Sequence, residues 1–240
     1  MNENAIQFQH VCFNANDTNI INDLTATIYK GKITTLIGPS GAGKTTLLKL
    51  CNGLITATSG SIFIHNKPIE AIEPTTLRRS VGMALQSAPI LKTTVYENLA
   101  LPRKLQHKEL TKEEACRYLR DVGLSEDFLL RDASDLSGGQ KQKLSIARTL
   151  INESDILLLD EITSALDPKA VREIEDLIVT LNERFRVTII WITHNIEQAE
   201  KLGHYTWMLK NGELIEANET NQLFHSINEI VRQFFKQTHD

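Results

Sequence analysis

A glycine-rich segment near the start of the chain has the composition of a phosphate-binding loop. It consists of Gly38, Pro39, Ser40, Gly41, Ala42, Gly43, Lys44 and Thr45, followed by Thr46. The apolar run Ile33–Ile37 before it predicts a buried strand, and residues 46–50 predict the start of a helix. In that context the backbone N–H groups and the helix N-terminus point at phosphate oxygens. We therefore predict a nucleotide site, with Lys44 between the β- and γ-phosphates and Thr45 offering its hydroxyl to Mg²⁺.

Two adjacent acids, Asp160 and Glu161, follow the apolar run of residues 156–159. That run is too short for a helix and is typical of a strand buried on both faces. Ligands of open α/β sheets bind where the strands end. We predict that Asp160 shares the Mg²⁺ and that Glu161 orients or deprotonates the attacking water. A solvent-exposed helix start is the alternative interpretation of two adjacent acids, and the apolar run disfavours it.

Two adjacent glycines lie farther along the chain, in the segment Ser137, Gly138, Gly139 and Gln140. Ser137 is a favourable helix N-cap, and residues 140–148 have helical periodicity. The paired glycines permit close approach of the backbone to a phosphate group. An ordinary capped helix would explain the serine but not the two glycines. The segment therefore predicts a second phosphate contact.

The order of these motifs resembles that of the ATP-binding subunits of ABC transporters, and the resemblance covers nearly the whole chain. It implies that residues 137–140 contact the γ-phosphate of ATP held by the opposite subunit. It also implies ATP and Mg²⁺ as ligands, and a homodimer, or a pair with another ATPase subunit, that forms when ATP binds. Because the contact needs the γ-phosphate, hydrolysis would release the pair.

Three further positions match motifs of that family. Gln86 matches the glutamine that links the Mg²⁺ and water site to the membrane subunit. Asp167, in the segment 164–167, matches the loop that contacts the partner across the dimer. His194, after the apolar run 187–192, matches the histidine that contacts the γ-phosphate. The implied catalytic set is Glu161, His194 and Gln86, and the implied Mg²⁺ set is Thr45, Gln86 and Asp160.

The resemblance implies an α/β fold, namely a P-loop NTPase of ABC type with a mixed-sheet core, an antiparallel β edge and a small helical subdomain. Residues 1–240 would form a single domain, with the nucleotide-binding core at 1–86 and 141–240 and the helical subdomain at 87–140. Local patterns predict strands at 6–13, 25–29 and 61–65, a turn at 66–68, helices at 196–202 and 227–235, and a hairpin of 206–209 with 213–216. Thr111 and Glu114 predict a capping box.

Composition limits the classes of partner. The chain has 240 residues, 41% of them apolar, and a net charge of −4, which gives no general attraction to nucleic acid. Three widely spaced cysteines match no metal-binding pattern and are typical of reduced thiols in the cytosol. The polar start of the chain does not resemble a signal peptide, and no apolar run reaches the roughly 20 residues of a membrane helix. We expect a cytoplasmic protein, peripheral on the cytoplasmic face of the cell membrane, whose partners are integral membrane permease subunits.

The chain departs from the family pattern at three positions. Ala15 stands where an aromatic residue commonly stacks on adenine, so the hypothesis is that Phe13 or another nearby ring compensates weakly, or that base selectivity is relaxed. Lys143 replaces a usual arginine, which keeps the charge but loses a planar fork. Ile162 replaces a usual proline.

The sequence gives a hint about cargo and leaves alternatives open. Ile162, residues 94–99, Pro102 and Trp191 resemble positions of bacterial Fet-type exporter ATPases, which suggests a metal ion as cargo, with iron export. The chain also resembles ATPases of phosphate and polar amino-acid importers. A hypothesis of another class is a soluble ABC ATPase that powers iron–sulfur cluster assembly.

Overall fold

The computed structural model describes residues 3–16 and 18–238. In chain order its strands are β1 (Asn4–Ala15), β2 (Thr18–Tyr29), β3 (Ile33–Ile37), β4 (Ser59–Ile64), β5 (Lys67–Pro68), β6 (Val81–Leu85), β7 (Ile156–Asp160), β8 (Thr188–Ile192), β9 (Tyr205–Lys210) and β10 (Glu213–Glu219). Its helices are α1 (Lys44–Cys51), α2 (Pro74–Ser80), α3 (Val95–Lys104), α4 (Lys112–Asp121), α5 (Gly138–Leu150), α6 (Pro168–Phe185), α7 (Ile196–Leu202), α8 (Thr220–Phe224) and α9 (Glu229–Thr238).

Two sheets form the framework. A six-stranded sheet has the order β10-β9-β3-β8-β7-β6, in which β9, β3, β8, β7 and β6 are parallel and β10 is antiparallel to β9. A four-stranded antiparallel sheet has the order β2-β1-β4-β5. The predicted α/β class, with a mixed sheet and an antiparallel β edge, is confirmed.

The central parallel strands are covered on both faces. In β7 the side chains of Leu157 and Leu159 join one core cluster, with residues of α3 to α6, while Ile156 and Leu158 join a second cluster with α1 and the antiparallel sheet. Alternate residues of a strand point to opposite faces, so such a strand must be apolar throughout. This explains the continuous apolar runs in the sequence.

The parallel strands end at one edge of the sheet, here called the carboxyl edge. β3 ends at the phosphate loop, β6 ends directly before Gln86, and β7 ends at Asp160. β8 ends two residues before His194. The topology therefore brings the chemically important residues of four separate segments to a single edge.

Most predicted elements are confirmed, with some differences in detail. The strand Ile33–Ile37, the helix Ile196–Leu202 and the Thr111–Glu114 capping box are as predicted. The predicted turn at 66–68 is wrong, because Lys67–Pro68 pair with Phe63 and Ile64 as β5, and the turn lies at positions 65 and 66. The terminal helix starts at Glu229 and not at 227.

The segment 87–140 contains α3, α4 and the start of α5. Helix α5 runs continuously from Gly138 to Leu150, so the predicted boundary between positions 140 and 141 falls within it. The division into a core and a helical subdomain stays a prediction.

Candidate functional site

The glycine-rich loop of residues 38–45 connects β3 to α1 and is held in an unusual backbone conformation. Gly38 has φ 135°, and a side-chain carbon there would lie 2.0 Å from the carbonyl oxygen of Leu209 in β9. Only glycine fits so close to a neighbouring strand. The Lys44 ammonium folds back over the loop and donates hydrogen bonds to the carbonyls of Gly38 at 2.7 Å and Pro39 at 3.0 Å.

Lys44 is a buried cation among anions. Only 5% of the residue is exposed. Burial lowers the pKa of Lys44, while the nearby Glu161 and Asp160 carboxylates oppose that shift. A buried ammonium whose described hydrogen bonds go to the carbonyls of Gly38 and Pro39 is well suited to an incoming phosphate.

Thr45 and Asp160 form a pair beside this loop. The Thr45 hydroxyl donates to a carboxylate oxygen of Asp160 at 3.1 Å. Burial raises the pKa of Asp160, with a smaller contribution from Glu161 in the same direction, and the Thr45 hydrogen bond opposes the shift. Within the described part of the chain, no group of three or more His, Cys, Asp and Glu side chains could hold a metal ion by itself. A hydroxyl and a carboxylate are oxygen ligands of the type that Mg²⁺ takes together with substrate phosphates.

Glu161 and His194 meet at the carboxyl edge, although they follow different strands. The His194 Nε2 lies 2.7 Å from the Glu161 Oε1. Glu161 has φ 51°, a conformation that non-glycine residues adopt uncommonly and that is concentrated at functional sites. A cleft of about 590 Å³ is lined by both side chains and by Ser164. Two of the three predicted catalytic residues, Glu161 and His194, are therefore in direct contact.

Gln86 is connected to Glu161 through Ser164, a serine that the sequence analysis did not single out. Its amide nitrogen donates to the Ser164 hydroxyl at 2.8 Å, and that hydroxyl donates to the backbone carbonyl of Glu161 at 2.9 Å. The Gln142 side chain of α5 donates to the carbonyls of Leu85 at 3.2 Å and Gln86 at 2.6 Å. The motif of residues 164–167 could have pointed to Ser164, but no sequence pattern pointed to Gln142.

The two adjacent glycines, Gly138 and Gly139, begin helix α5, as predicted. Ser137 accepts a hydrogen bond from the backbone of Gln140 at 3.3 Å, and the Gln140 side chain accepts one from the backbone of Ser137 at 2.9 Å. A side-chain carbon at Gly139 would lie 2.8 Å from Ala170, so α5 packs closely on the start of α6. Among the described hydrogen bonds, none joins residues 137–140 to the phosphate loop of the same chain.

Five remaining positions of interest lie in different structural settings. Asp167 caps α6 by accepting from the backbone of Lys169 at 3.0 Å and Ala170 at 3.1 Å. Phe13 is half-buried, pairs with Ile21 across β1 and β2, and packs against the second core cluster. Ile162 is 1% exposed in the first cluster, and Lys143 forms an ion pair with Glu173 at 2.7 Å. Ala15 is half-buried at the end of β1.

A comparison with known protein families shows to which family the chain belongs. The chain matches the family model described as ABC transporter over residues 21–164, which is more than half of its length. The chain belongs to the ABC transporter family. Among its relatives is the putative ABC transporter ATP-binding protein YjkB of Bacillus subtilis, 44% identical over 90% of this chain and 86% of the relative. The carnitine transport ATP-binding protein OpuCA of Listeria monocytogenes is 38% identical over 89% of this chain, which spans 55% of that protein.

Solved structures of ABC proteins share the fold. The structure of cbiO1 from Clostridium perfringens, part of the ABC transporter complex cbiONQ, has a TM-score of 0.85 at 28% identity and covers 96% of this chain and 94% of its own. A dimeric structure of the ATP-binding cassette MJ0796, in a post-hydrolysis state with ADP and Pi, has a TM-score of 0.79 at 29% identity and covers 90% of this chain and 98% of its own. This ABC protein is thus an ATP-binding, ATP-hydrolysing subunit of a kind that dimerises.

Proposed function

We propose that this ABC protein hydrolyses two ATP molecules sandwiched between two ATPase subunits and that the motion drives membrane subunits. The observation that carries the proposal is the meeting of Glu161 with His194, at 2.7 Å, beside the Thr45–Asp160 pair and the phosphate loop. Separate segments of the chain supply a phosphate cradle, an ion-binding pair and a base at one edge of the sheet. In-line phosphoryl transfer to water requires these parts.

ATP would bind with its phosphates along residues 38–46. Lys44 would leave the carbonyls of Gly38 and Pro39 for the β- and γ-phosphates. Thr45, Asp160 and Gln86 would hold the ion, with Asp160 acting through water. When bound, Mg²⁺ would neutralise charge that develops on the phosphate oxygens.

The Glu161 carboxylate would orient the attacking water and accept its proton. The water oxygen bonds to the γ-phosphorus while the bond from that phosphorus to the bridging oxygen of ADP breaks, which yields ADP and inorganic phosphate. The contact at His194 adds a switch. Nε2 can donate its hydrogen to Glu161 or to a γ-phosphate, so ATP binding would turn His194 toward the phosphate and free Glu161 for the water.

The helix start at Ser137 supplies the dimer contact. Ser137 and Gly138 are exposed and bear the N-terminal end of α5. We propose that residues 137–140 contact the γ-phosphate in the other subunit, with Asp167 beside the interface. The dimeric arrangement of the related MJ0796 cassette supports this proposal.

Adenine recognition is the least typical part of the site. Phe13 remains the proposed ring, in weak contact with the base, because Ala15 offers none. The affinities for ATP and GTP should therefore differ little, and Phe13→Ala should weaken both. A strong preference for ATP that survives Phe13→Ala would contradict the proposal.

We propose the groove beside Gln86 as the seat of the membrane subunit. It has a volume of about 790 Å³, and its lining includes Leu85, Leu101 and Leu105 with the basic residues Arg78, Arg79, Lys108 and Arg148. Among the described residues that line it, none is Asp or Glu. A segment with apolar and acidic side chains fits such a surface. In the described chain no helix combines the length and apolarity that crossing a bilayer demands.

The partner would place this protein at the cytoplasmic face of the membrane, with residues 87–140 as the subdomain that transmits motion. Support for a membrane partner comes from cbiO1, which is part of a transporter complex, and from OpuCA, which is named for carnitine transport. These names give no support to iron export, which stays a hypothesis from the sequence. We propose that the partner's own pocket selects the cargo.

Co-purification tests the transport proposal. Tagged Glu161→Gln protein, isolated with ATP from detergent-solubilised cells of its own organism, should carry a multi-span membrane protein in matching amount. Adding Leu105→Glu should remove that partner, because Leu105 is 74% exposed in the groove. Phe185→Glu is the control, since Phe185 is 44% exposed and lies outside the groove. Recovery of soluble scaffold proteins alone would favour the cluster-assembly ATPase, and retention of the partner by the Leu105→Glu form would exclude this groove.

A further inference from the structure

A buried polar network joins the two segments that carry Glu161 and His194. Thr163 lies two residues after Glu161, and Thr193 lies directly before His194. Both threonines contact Gln198 of α7. The exposed fractions are 8% for Thr163, 3% for Thr193 and 4% for Gln198. Polar side chains that are so deeply buried need hydrogen-bond partners. Here the two threonines and Gln198 bond to one another.

The Gln198 amide is the centre of this network. Its oxygen accepts from the Thr193 hydroxyl at 2.7 Å and from the Thr163 hydroxyl at 3.3 Å. Its nitrogen donates to Glu175 of α6 at 2.9 Å, and the other Glu175 oxygen accepts from Lys201 at 3.0 Å. An ionised carboxylate only accepts, so the amide nitrogen must face Glu175 and the amide oxygen must face the threonines. Glu175 thereby fixes which end of the amide holds the two catalytic segments.

The distance between Glu161 and His194 depends on the relative position of these segments, because each residue lies beyond the end of its own strand. Helix α6 also begins directly after Asp167, the residue proposed at the dimer interface. The network therefore connects the Glu161 segment, the His194 segment and the helix that follows the proposed dimer contact. A misplacement of about 1 Å at reacting groups can cost on the order of 100-fold in rate.

We propose that Gln198 is a positioning residue that sets the Glu161–His194 geometry for hydrolysis. Its hydrogen bonds reach Thr163, Thr193 and Glu175, none of which is assigned to ATP, so it would act through the two threonines. The inference rests on the proposed roles of Glu161 and His194.

Replacement of the amide by a hydrocarbon is the first test. Gln198→Leu should lower kcat about 10- to 100-fold while the KM for ATP stays within about twofold, because the phosphate loop is unchanged. Asn182→Leu is the matched control. Asn182 is also an amide that is 4% exposed, and it donates to the carbonyls of Gly31 at 3.1 Å and Val187 at 2.8 Å, which precede β3 and β8 and lie away from the carboxyl edge. The Asn182→Leu variant should therefore have a lower melting temperature and an unchanged kcat.

Exchanging the residues at positions 198 and 175 gives a second test, which stays decisive if Gln198→Leu fails to fold. Gln198→Glu alone puts two carboxylates together and should lose activity as the leucine variant does. Gln198→Glu with Glu175→Gln restores a donor facing an acceptor and leaves an oxygen at position 198 for both threonines, so most of kcat should return. An unchanged kcat in Gln198→Leu, an equal loss in Asn182→Leu, or a swap without recovery would each overturn the inference. Full activity in Glu161→Gln would instead overturn the proposed roles on which it rests.

Discussion

Lys44 and Asp160 are opposite charges held in a partly desolvated corner of the carboxyl edge. Burial is the main cause of both pKa shifts, lowering the pKa of Lys44 and raising that of Asp160. Each group is thus moved toward its neutral form, which means that the charged site opposes folding before a ligand binds. ATP and its ion would supply the missing countercharges. Functional sites commonly sacrifice stability in this way.

The variant Asp160→Asn should reveal how much the ionised Asp160 destabilises the ATP-free protein. The folded-state pKa of Asp160 lies above its unfolded value, so its ionised form destabilises the ATP-free protein above the folded pKa. Asparagine keeps the oxygen that accepts from Thr45. We expect the melting temperature at pH 7 to rise by about 2 °C, and the gain to disappear as the pH falls through the folded pKa toward the unfolded value. ATP hydrolysis should be lost.

Thermal unfolding without nucleotide, from pH 7 to pH 4, measures the effect. Asp132→Asn is the control with the opposite sign, because hydrogen bonds from Ser134 lower the pKa of Asp132 and its ionised form favours folding. Asp132→Asn should not raise the melting temperature. A lower melting temperature for Asp160→Asn at pH 7 would contradict the assigned cost.

The positions of Lys44, Thr45, Asp160 and Glu161 could be predicted because each motif is local and follows a strand. Gln198 and Gln142 could not, since their contacts join residues that are far apart along the chain. The Gln198 oxygen bonds to Thr163, and the Gln142 nitrogen bonds to the carbonyl of Gln86. Such contacts depend on which strands are neighbours, and that order is a property of the folded sheet.

Among the elements, the buried strands were the easiest to predict and the edge elements the hardest. Strand β3 has five buried residues between a turn and a glycine. Helix α6 was not predicted, although Asp167 and the following Pro168 form a typical helix start and its buried apolar residues have helical spacing. The family resemblance implies a dimer contact for Asp167, and the structure shows that this residue also caps the helix. Pro68 suggested a turn, but proline is tolerated at the edge of a sheet, where β5 lies.

The two capping boxes allow a test of the α5 N-terminus. Ser137 caps α5 and Thr111 caps α4 by the same pair of hydrogen bonds. Ser137→Ala and Thr111→Ala should each cost about 1 kcal/mol, or roughly 2–4 °C in melting temperature. Only Ser137→Ala should also weaken ATP-driven dimerisation and hydrolysis, because only α5 is proposed to meet the partner's ATP.

Thermal unfolding and ATPase rates of the two variants, taken at a temperature well below both transitions, separate the structural effect from the functional one. An ATPase rate in Ser137→Ala equal to that of Thr111→Ala would remove the helix start from the proposed mechanism.

The molecule as a whole carries two halves of the proposed ATP site, and none of the described hydrogen bonds joins one half to the other. The phosphate loop, Asp160, Glu161 and His194 meet at the carboxyl edge, while residues 137–140 contact the start of α6. The sequence predicts both halves, and we propose that a second subunit combines them. Gln86 and Gln142 connect the first half to α5 and to the proposed membrane groove, so binding of the partner and closure of the dimer would act on the same hydrogen-bonded residues.

The most direct test of the ATP-sandwich dimer is the molar mass of Glu161→Gln in solution, measured by light scattering after size exclusion. With ATP and Mg²⁺ the variant should be a dimer, because the γ-phosphate is bound and not cleaved. With ADP it should be a monomer. The double variant Lys44→Ala with Glu161→Gln should stay monomeric in ATP, since its phosphate site is impaired. A Glu161→Gln protein that binds ATP and remains monomeric would contradict the account.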